Sequence, residues 1–370
     1  MRIAIYSPYL DTLGGGERYI TTIAEILSNQ HPTDLLFDEH LQGIGMDILK
    51  KQLSDRFNLN LSKVNLIKAP VGKGSNFLER LFFLRKYDLL IYLTDGSIFY
   101  ASSKRNILHI QTPLVGQPAK SFWGKLKLNG WDLIIYNSKF TKEHSQKNWP
   151  LKSQVIYPPV DLDKIMLLKK KKYILSVGRF FGYLRDKKHK LLVETFKKMY
   201  SANKLSGWSL HLVGSAAEGD KPYIEELKTN AKDIPVNFYP NMGYDDLIKL
   251  YGQSSIYWHA AGYGENDPIK MEHFGISTVE AMAAGCVPVV IGKGGQIEIV
   301  EDGKSGFLWE TLDQLKRNTL RLIENADILE RMSKEAQKRS KSFSKERFTK
   351  EILRLLRHKV GVAQDDGGIG

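Results

Sequence analysis

The sequence predicts an α/β protein made of two doubly wound, parallel-sheet domains. Three observations lead there. Short apolar runs that read as buried strands recur along the chain, separated by stretches with helical periodicity, which is the pattern of a parallel sheet covered on both faces. The pattern breaks at Ile156-Tyr-Pro-Pro-Val-Asp161, where two prolines precede a lysine-rich stretch, and then restarts. The chain has 370 residues, too many for one ordinary core.

Arg2-Ile-Ala-Ile-Tyr6 is a short apolar strand, and Met1 leads straight into it without the layout of a signal peptide. A glycine turn, Gly14-Gly-Gly, opens a helix over Glu17 to Leu27 with Ile20, Ile23, Ala24 and Leu27 on one face. Lys63 to Ile67, Leu89 to Leu93, Asn106 to Ile110 and Leu133 to Tyr136 continue the first sheet. Beyond the break, Tyr173 to Val177, Ser209 to Val213, Val236 to Tyr239, Ser255 to His259 and Val287 to Ile291 form the second. Leu191 to Tyr200, Leu312 to Glu324, Ala326 to Phe343 and Lys345 to Lys359 read as helices. The domains are expected at 1–160 and 161–343, with a last helix at 344–360 and a glycine-rich flexible tail at 361–370.

Composition narrows the class. Apolar residues make up 42% and charged residues 26%, as in soluble globular proteins, and no run of about 18 apolar residues marks a membrane span. Cys286 is the only cysteine, which excludes a disulfide framework or a cysteine metal site and suits a reducing cytoplasm. The net charge of +13 favours anionic partners. The basic residues cluster at Lys169 to Lys172, at Lys187, Lys188 and Lys190, and along the last helix. No zinc spacing, recognition-helix pattern or aromatic RNA-binding signature accompanies them, so nucleic acid is not the expected partner. Phe77-Leu-Glu-Arg-Leu-Phe-Phe-Leu-Arg-Lys86 is a basic amphipathic helix. Two readings stand side by side for it: core packing with a solvated face, or peripheral contact with an acidic membrane.

The most informative stretch is Glu272-His-Phe-Gly-Ile-Ser-Thr-Val-Glu280, running on into Ala-Met-Ala-Ala-Gly285. It places two carboxylates eight positions apart around a glycine turn and a new helix. Ser277 is a good N-cap and Gly285 a good C′ residue. A helix N-terminus offers free N–H groups and a partial positive charge to a phosphate, while carboxylates suit hydroxyl groups. A ligand with both features is a nucleotide sugar. Ser277-Thr-Val-Glu280 is equally a capping box, which would tie Glu280 to the backbone, and Glu272 could be a solvated loop carboxylate. The other chemical residues follow strands: Gly14 to Gly16, His109, Gly178-Arg179 and Gly214. Ligands of doubly wound sheets sit outside those strand ends.

Together these pieces resemble a retaining glycosyltransferase of the GT-B fold, family four, across nearly the whole chain. The resemblance rests on Glu272-x7-Glu280 with its Phe-Gly-Ile-Ser turn, on Ser176-Val-Gly-Arg179 with Lys187, and on Gly14-Gly-Gly-Glu17. It implies two Rossmann-like domains facing across a cleft, with the last helix returning to the first. It implies that Arg179 and Lys187 hold a donor diphosphate and stabilise its departing charge. Gly15 and Gly16 would let the first helix approach the phosphate, and closure of the domains would bring them and His109 onto the donor. Glu280 would bind ribose hydroxyls, Glu272 the donor sugar, and the Phe274, Gly275, Ile276 and Ser277 turn would supply backbone N–H groups. His109 would donate to a sugar hydroxyl or orient the acceptor. Gly294, Gly295 and Glu298 would shape the donor site, and His259 would be packed in the domain interior. In this chain Lys187-Lys188 replaces the family's usual Lys-Gly, which leaves the choice between the two lysines open.

The resemblance further implies sugar transfer from a nucleotide-diphosphate sugar to a glycan or lipid-linked acceptor, by front-face attack without a covalent intermediate. No cofactor is expected. Asp161-Leu-Asp163 has a metal-binding spacing but follows two prolines, where a turn is the simpler account, so no metal is expected either. The expected location is cytoplasmic, with the inner face of the cell membrane as its variant. Two rivals remain: a nucleotide-sugar epimerase on the same scaffold, and a non-catalytic nucleotide-sugar-binding subunit. Gly14-Gly-Gly lacks the dinucleotide spacing, which disfavours an oxidoreductase.

Overall fold

A computed structural model describes residues 1–72, 74–116 and 121–360. The chain divides into two compact units, one of Met1–Pro159 with the chain from Glu346 onward, the other of Val160–Lys345. The expected tail at 361–370 lies outside the described residues.

The first unit holds strands β1 (Ile3–Tyr6), β2 (Thr33–Phe37), β3 (Val64–Lys68), β4 (Leu89–Leu93), β5 (Arg105–Ile110), β6 (Leu133–Tyr136) and β7 (Ser153–Val155), with helices α1 (Gly15–Ser28), α2 (Met46–Phe57), α3 (Phe77–Leu84), α4 (Phe122–Leu128) and α5 (Lys139–Ser145). The sheet order is β3-β2-β1-β4-β5-β6-β7 and every pairing is parallel. Side chains alternate by strand period. Ile3 and Ile5 face a core built with Ile20, Ile23 and Leu27 of α1, whereas Ala4 and Tyr6 face the opposite core with Tyr92, Trp131 and Trp149. Both faces are therefore buried, as the apolar strands required.

The second unit holds β8 (Lys171–Val177), β9 (Ser209–Gly214), β10 (Val236–Pro240), β11 (Ser254–His259), β12 (Val287–Ile291) and β13 (Phe307–Trp309). Its helices are α6 (His189–Ser201), α7 (Lys221–Asn230), α8 (Tyr244–Gln253), α9 (Ile276–Ala283), α10 (Gln296–Ile299), α11 (Leu312–Glu324) and α12 (Ala326–Ser340). The order β10-β9-β8-β11-β12-β13 is again all parallel. The order reverses between β8 and β11, so the carboxyl ends of those two strands flank the switch point where doubly wound sheets take ligands.

The chain enters this unit at Val160 and leaves it at Ser344 along a parallel bridge, with Val160 N–H donating to Phe343 O at 3.1 Å and Lys345 N–H to Val160 O at 2.9 Å. The last helix, α13 (Lys345–Val360), then packs into the first unit: Phe348, Ile352, Leu355 and Leu356 are buried there, and Phe348 meets Tyr19 edge-on at 4.9 Å.

Several elements escaped the sequence reading. β2 carries Asp34 inside an apolar strand. Its carboxylate is buried because Arg2, Asn65 and the Tyr87 hydroxyl all donate to it. β7 and β13 are three-residue edge strands, too short to show a period. The helix expected to run to Phe343 ends at Ser340 and continues as one 3-10 turn. The 77–86 helix, read as core packing with a solvated face or as membrane contact, packs Leu84 and Phe83 against the core and leaves other apolar side chains outside. Phe77, Leu78 and Phe82 are 51%, 60% and 68% exposed, while Leu84 alone of that helix is fully buried. Among the described residues no helix is long and apolar enough to cross a membrane.

Candidate functional site in the second unit

At the end of β8 the chain turns through Gly178 and Arg179. Gly178 N–H donates to Val213 O at 2.8 Å, and a Cβ on Gly214 would sit 1.9 Å from Gly178 O. Only glycine at 214 lets the two strand ends meet this closely. Arg179 is thereby presented at the surface, its guanidinium 4.3 Å from the centre of the Phe181 ring and, among the described residues, in no ion pair.

Lys187 reaches inward instead. Its ammonium lies 2.7 Å from Glu272 Oε2 and 3.9 Å from Asp186 Oδ2. His259, the last residue of β11 and only 3% exposed, places Nε2 3.0 Å from the same Glu272 oxygen. A carboxylate only accepts, so Nε2 carries the proton of that bond. Burial alone would raise the Glu272 carboxyl, but the Lys187 charge and the His259 hydrogen bond hold it well below the usual carboxylate range. Burial likewise works to lower the Lys187 ammonium, and the Glu272 and Asp186 charges raise it nonetheless. Glu272 is therefore a half-buried, ionised, doubly held group and not a solvated loop residue.

The turn after Glu272 is shaped by three glycines. Gly275 has φ of 119°. Gly294 has φ of 63°, and a Cβ there would lie 2.2 Å from Glu272 O, while Gly295 N–H donates to that same oxygen at 2.8 Å. Gly294 and Gly295 thus fix the backbone that carries Glu272. Phe274 is buried against Phe343, ring centres 5.5 Å apart, so its side chain anchors the turn and only its backbone is left to face a ligand. Glu298 serves as scaffold, its carbonyl accepting from Arg339 at 2.6 Å.

Helix α9 begins at Ile276 with Gly275 as its cap, which corrects the expectation of Ser277 as N-cap. Ser277 is the second helical residue, so no capping box forms with it; its Oγ accepts from the Tyr257 hydroxyl at 2.8 Å. The left-handed glycine turns the chain into the helix without needing a side-chain cap, and the buried tyrosine takes the serine. Glu280 points to the buried Tyr251, whose hydroxyl donates to Oε2 at 3.3 Å. The other end matches expectation: Gly285, φ 80°, is C′, and the Gly285 and Cys286 N–H groups close a Schellman motif onto Met282 O and Ala281 O. Lys170 seals the same end by donating to Ala284 O at 2.6 Å and Ser254 O at 2.7 Å.

The second unit thus brings Arg179, Lys187, Glu272, the 274–277 turn and Glu280 to one region beside its switch point. The two neighbouring lysines meet different carboxylates. Lys188 is tied to Glu265 at 2.6 Å, while Lys187 alone joins Glu272. Sequence reasoning missed His259 as a partner of Glu272; its signal lies in topology, since it ends the strand next to β8. Tyr251 and Tyr257 gave no sequence signal. Asp161 and Asp163 lie in the loop before β8, and among the described residues no cluster of His, Cys, Asp or Glu is placed to hold a metal ion.

The remaining predicted residues belong to the first unit. The first helical bond of α1 runs from Arg18 N–H to Gly14 O, leaving the N–H groups of Gly15 and Gly16 without helical partners. Glu17 folds back on this start, its Oε2 accepting from Gly14 N–H at 3.0 Å and the Thr12 hydroxyl at 2.8 Å. A Cβ on Gly16 would overlap the Gln111 amide, so that glycine makes room for a neighbour from the end of β5. His109 departs from expectation. It is fully buried, stacked on Tyr19 at 3.9 Å, with Nδ1 donating to Ile135 O at 3.1 Å. Burial pushes it down to about 3, so at neutral pH its buried Nε2 is an acceptor and donates to nothing.

The two sheets and their switch points define a GT-B fold, and comparison with known proteins says which family the second of them resembles. Residues 161–339, nearly the whole second unit, match the family described as "Glycosyl transferases group 1". The "GDP-Man:Man(3)GlcNAc(2)-PP-Dol alpha-1,2-mannosyltransferase" of Dictyostelium discoideum is 26% identical over 249 residues, 61% of this chain and 47% of the relative. The chain spans about half the length of the curated relatives it matches. Among solved structures, Anabaena HepE in complex with UDP and glucose superposes with a TM-score of 0.70 at 19% identity, covering 96% of this chain and 99% of its own. A glycosyltransferase from Rickettsia africae superposes at 0.73 with 18% identity, covering 98% and 99%. These likenesses establish the fold.

Proposed function

We propose that the chain is a retaining glycosyltransferase that moves a sugar from a nucleotide-diphosphate sugar to a hydroxyl of a lipid-linked glycan. The observation that carries this reading is the convergence on Glu272. One ionised carboxylate is held between Lys187 and His259, with Arg179 exposed beside it and Glu280 on the helix that follows. Lys187 and Arg179 are the groups to meet the diphosphate, and charge placed there is worth most at the moment the sugar–phosphate bond breaks. Those two cations do what a metal would do, so the reaction proceeds without one. The free lone pairs of Glu272 accept donor-sugar hydroxyls and Glu280 accepts ribose hydroxyls. The incoming hydroxyl attacks on the face the diphosphate leaves and passes its proton to a departing phosphate oxygen, so the anomeric configuration is kept. The names of the relatives make GDP-mannose and UDP-glucose the first donors to try.

A lipid-linked acceptor agrees with a second feature, the first unit's exposed aromatic side chains beside basic ones. Phe122 and Trp123 of α4 are 74% and 69% exposed, with Lys125 and Lys127 on the same helix. α3 shows Phe82, with Arg85 at 5.8 Å from its ring. Both elements border the 99–103 loop: Ser102 Oγ donates to Leu81 O at 2.8 Å, and Trp131, just after α4, donates to Phe99 O at 3.2 Å. Aromatic side chains at headgroup depth and cations against anionic lipid are the chemistry of an interfacial surface.

The test is a nucleotide-sugar panel read by thermal shift, followed by proton NMR of the product formed with each stabilising donor and a lipid-linked glycan. A transferred sugar with retained anomeric configuration is expected. No stabilisation by any nucleotide sugar would overturn the reading. Turnover of the donor to its epimer without acceptor would favour the epimerase instead.

A further inference from the structure

We infer that His259 is a positioning residue for Glu272, needed when the donor's diphosphate draws Lys187 away. This rests on the donor-site reading above. Glu272 receives Lys187 at 2.7 Å and His259 at 3.0 Å on one oxygen, Oε2, and among the described residues Oε1 has no hydrogen-bond partner. Without ligand the ammonium neutralises the carboxylate. A diphosphate brings more negative charge than one carboxylate and competes for that ammonium, which sits on a four-carbon stem able to swing. If Lys187 moves to the phosphate, Glu272 loses its main electrostatic partner at the moment it must present oxygens to the sugar.

His259 is built to hold it there. The ring is at the end of a central strand, paired between β8 and β12, and is almost wholly buried. Among the described residues Nδ1 has no partner, and the bond to Glu272 is the only one the imidazole makes. A strand-borne ring cannot follow the diphosphate as a lysine can. It also donates through one fixed N–H, which leaves Oε1 and the second lone pair of Oε2 for sugar hydroxyls. The division of labour follows: Lys187 exchanges partners and serves the diphosphate, while His259 stays and serves the sugar through Glu272.

This separates two ligands that differ only by the sugar. Binding of UDP or GDP uses Lys187 and not the Glu272–His259 bond; binding of UDP-glucose or GDP-mannose uses both. Calorimetric titration of the full chain with each nucleotide and its sugar conjugate is the test. For His259→Phe we expect affinity for the sugar nucleotide to fall about tenfold or more, the order of one charge-assisted hydrogen bond, with affinity for the bare nucleotide unchanged within about twofold. His259→Gln, whose amide can donate from the place of Nε2, should recover most of the loss, and Lys187→Met should weaken both ligands. Equal loss of both ligands in His259→Phe, or loss of neither, overturns the inference and leaves the donor-site reading standing. Failure of the unaltered protein to bind any of the four ligands overturns that reading, and the inference with it.

Discussion

Replacing Glu272 with glutamine tests the buried ionic site with almost no change of shape. The amide keeps one acceptor for Lys187 and His259 and removes the charge. Hydrogen bonds to charged groups contribute about 1.5–3 kcal/mol and neutral ones about 0.5–1.5, so the His259 bond weakens by roughly 1–1.5 kcal/mol, and Lys187, still an ammonium, loses its counter-charge at a cost of similar size. Both side chains of the Lys187–Glu272 pair are only 20% exposed, so little of this is screened. The expected loss is about 2–3 kcal/mol, or about 4–12 °C in the melting of a unit of this size. The pH dependence supplies the control. Glu272 has a folded pKa below its unfolded value of about 4.3, so its contribution is fully present above that pH and fades as pH falls through the folded pKa. Calorimetry of both proteins from pH 8 to pH 3 should show a constant gap down to about pH 5 that narrows below about pH 4. Equal melting at pH 7, or a gap undiminished at pH 3, would refute the account of a buried charged site. The same substitution should lower sugar transfer by about two orders of magnitude.

Two further outcomes follow from groups away from Glu272. Lys170→Met leaves Ala284 O without its lysine donor and Ser254 O with only the weak Cys286 thiol, and should destabilise the protein by about 2–4 kcal/mol in urea unfolding, while an unchanged midpoint would mean that water replaces the lysine. His109→Leu should flatten the acid limb of the first unit's stability. The buried ring is held at about 3 against an unfolded value near 6.5, so the unfolded chain binds the extra proton between those pH values and stability falls as pH drops through that window. A leucine variant with the same slope there would show that His109 is not buried neutral.

The apolar strands were legible because each is buried on both faces and so needs no polar residue. β1, β4, β6 and β12 were read to the residue or within one. β2 was hidden because a tertiary partner, Arg2, makes Asp34 tolerable in a sheet, and no local pattern announces that. The 272–285 segment was legible as two carboxylates around a turn because glycine at 275 and 285 is dictated locally by positive φ. The local pattern nevertheless misplaced the helix start at Ser277, since a serine two positions into a helix resembles a cap in one dimension. Its hydroxyl is claimed by Tyr257, twenty residues upstream.

The sequence alone determined the two parallel-sheet units, the break near Pro159, and the residue types able to grip a diphosphate and a sugar. Those follow from hydrophobic period, backbone conformation and charge, which act over a few neighbouring residues. Tertiary structure decided which of those residues act on each other. Only the sheet order placed His259 against Glu272. Only tertiary contacts with Lys187 and His259 keep that carboxylate ionised, only burial holds His109 neutral, and only the packing pairs Lys187 with Glu272 and Lys188 with Glu265. Charge interactions in a desolvated site depend on distance through space, and distance along the chain does not report it.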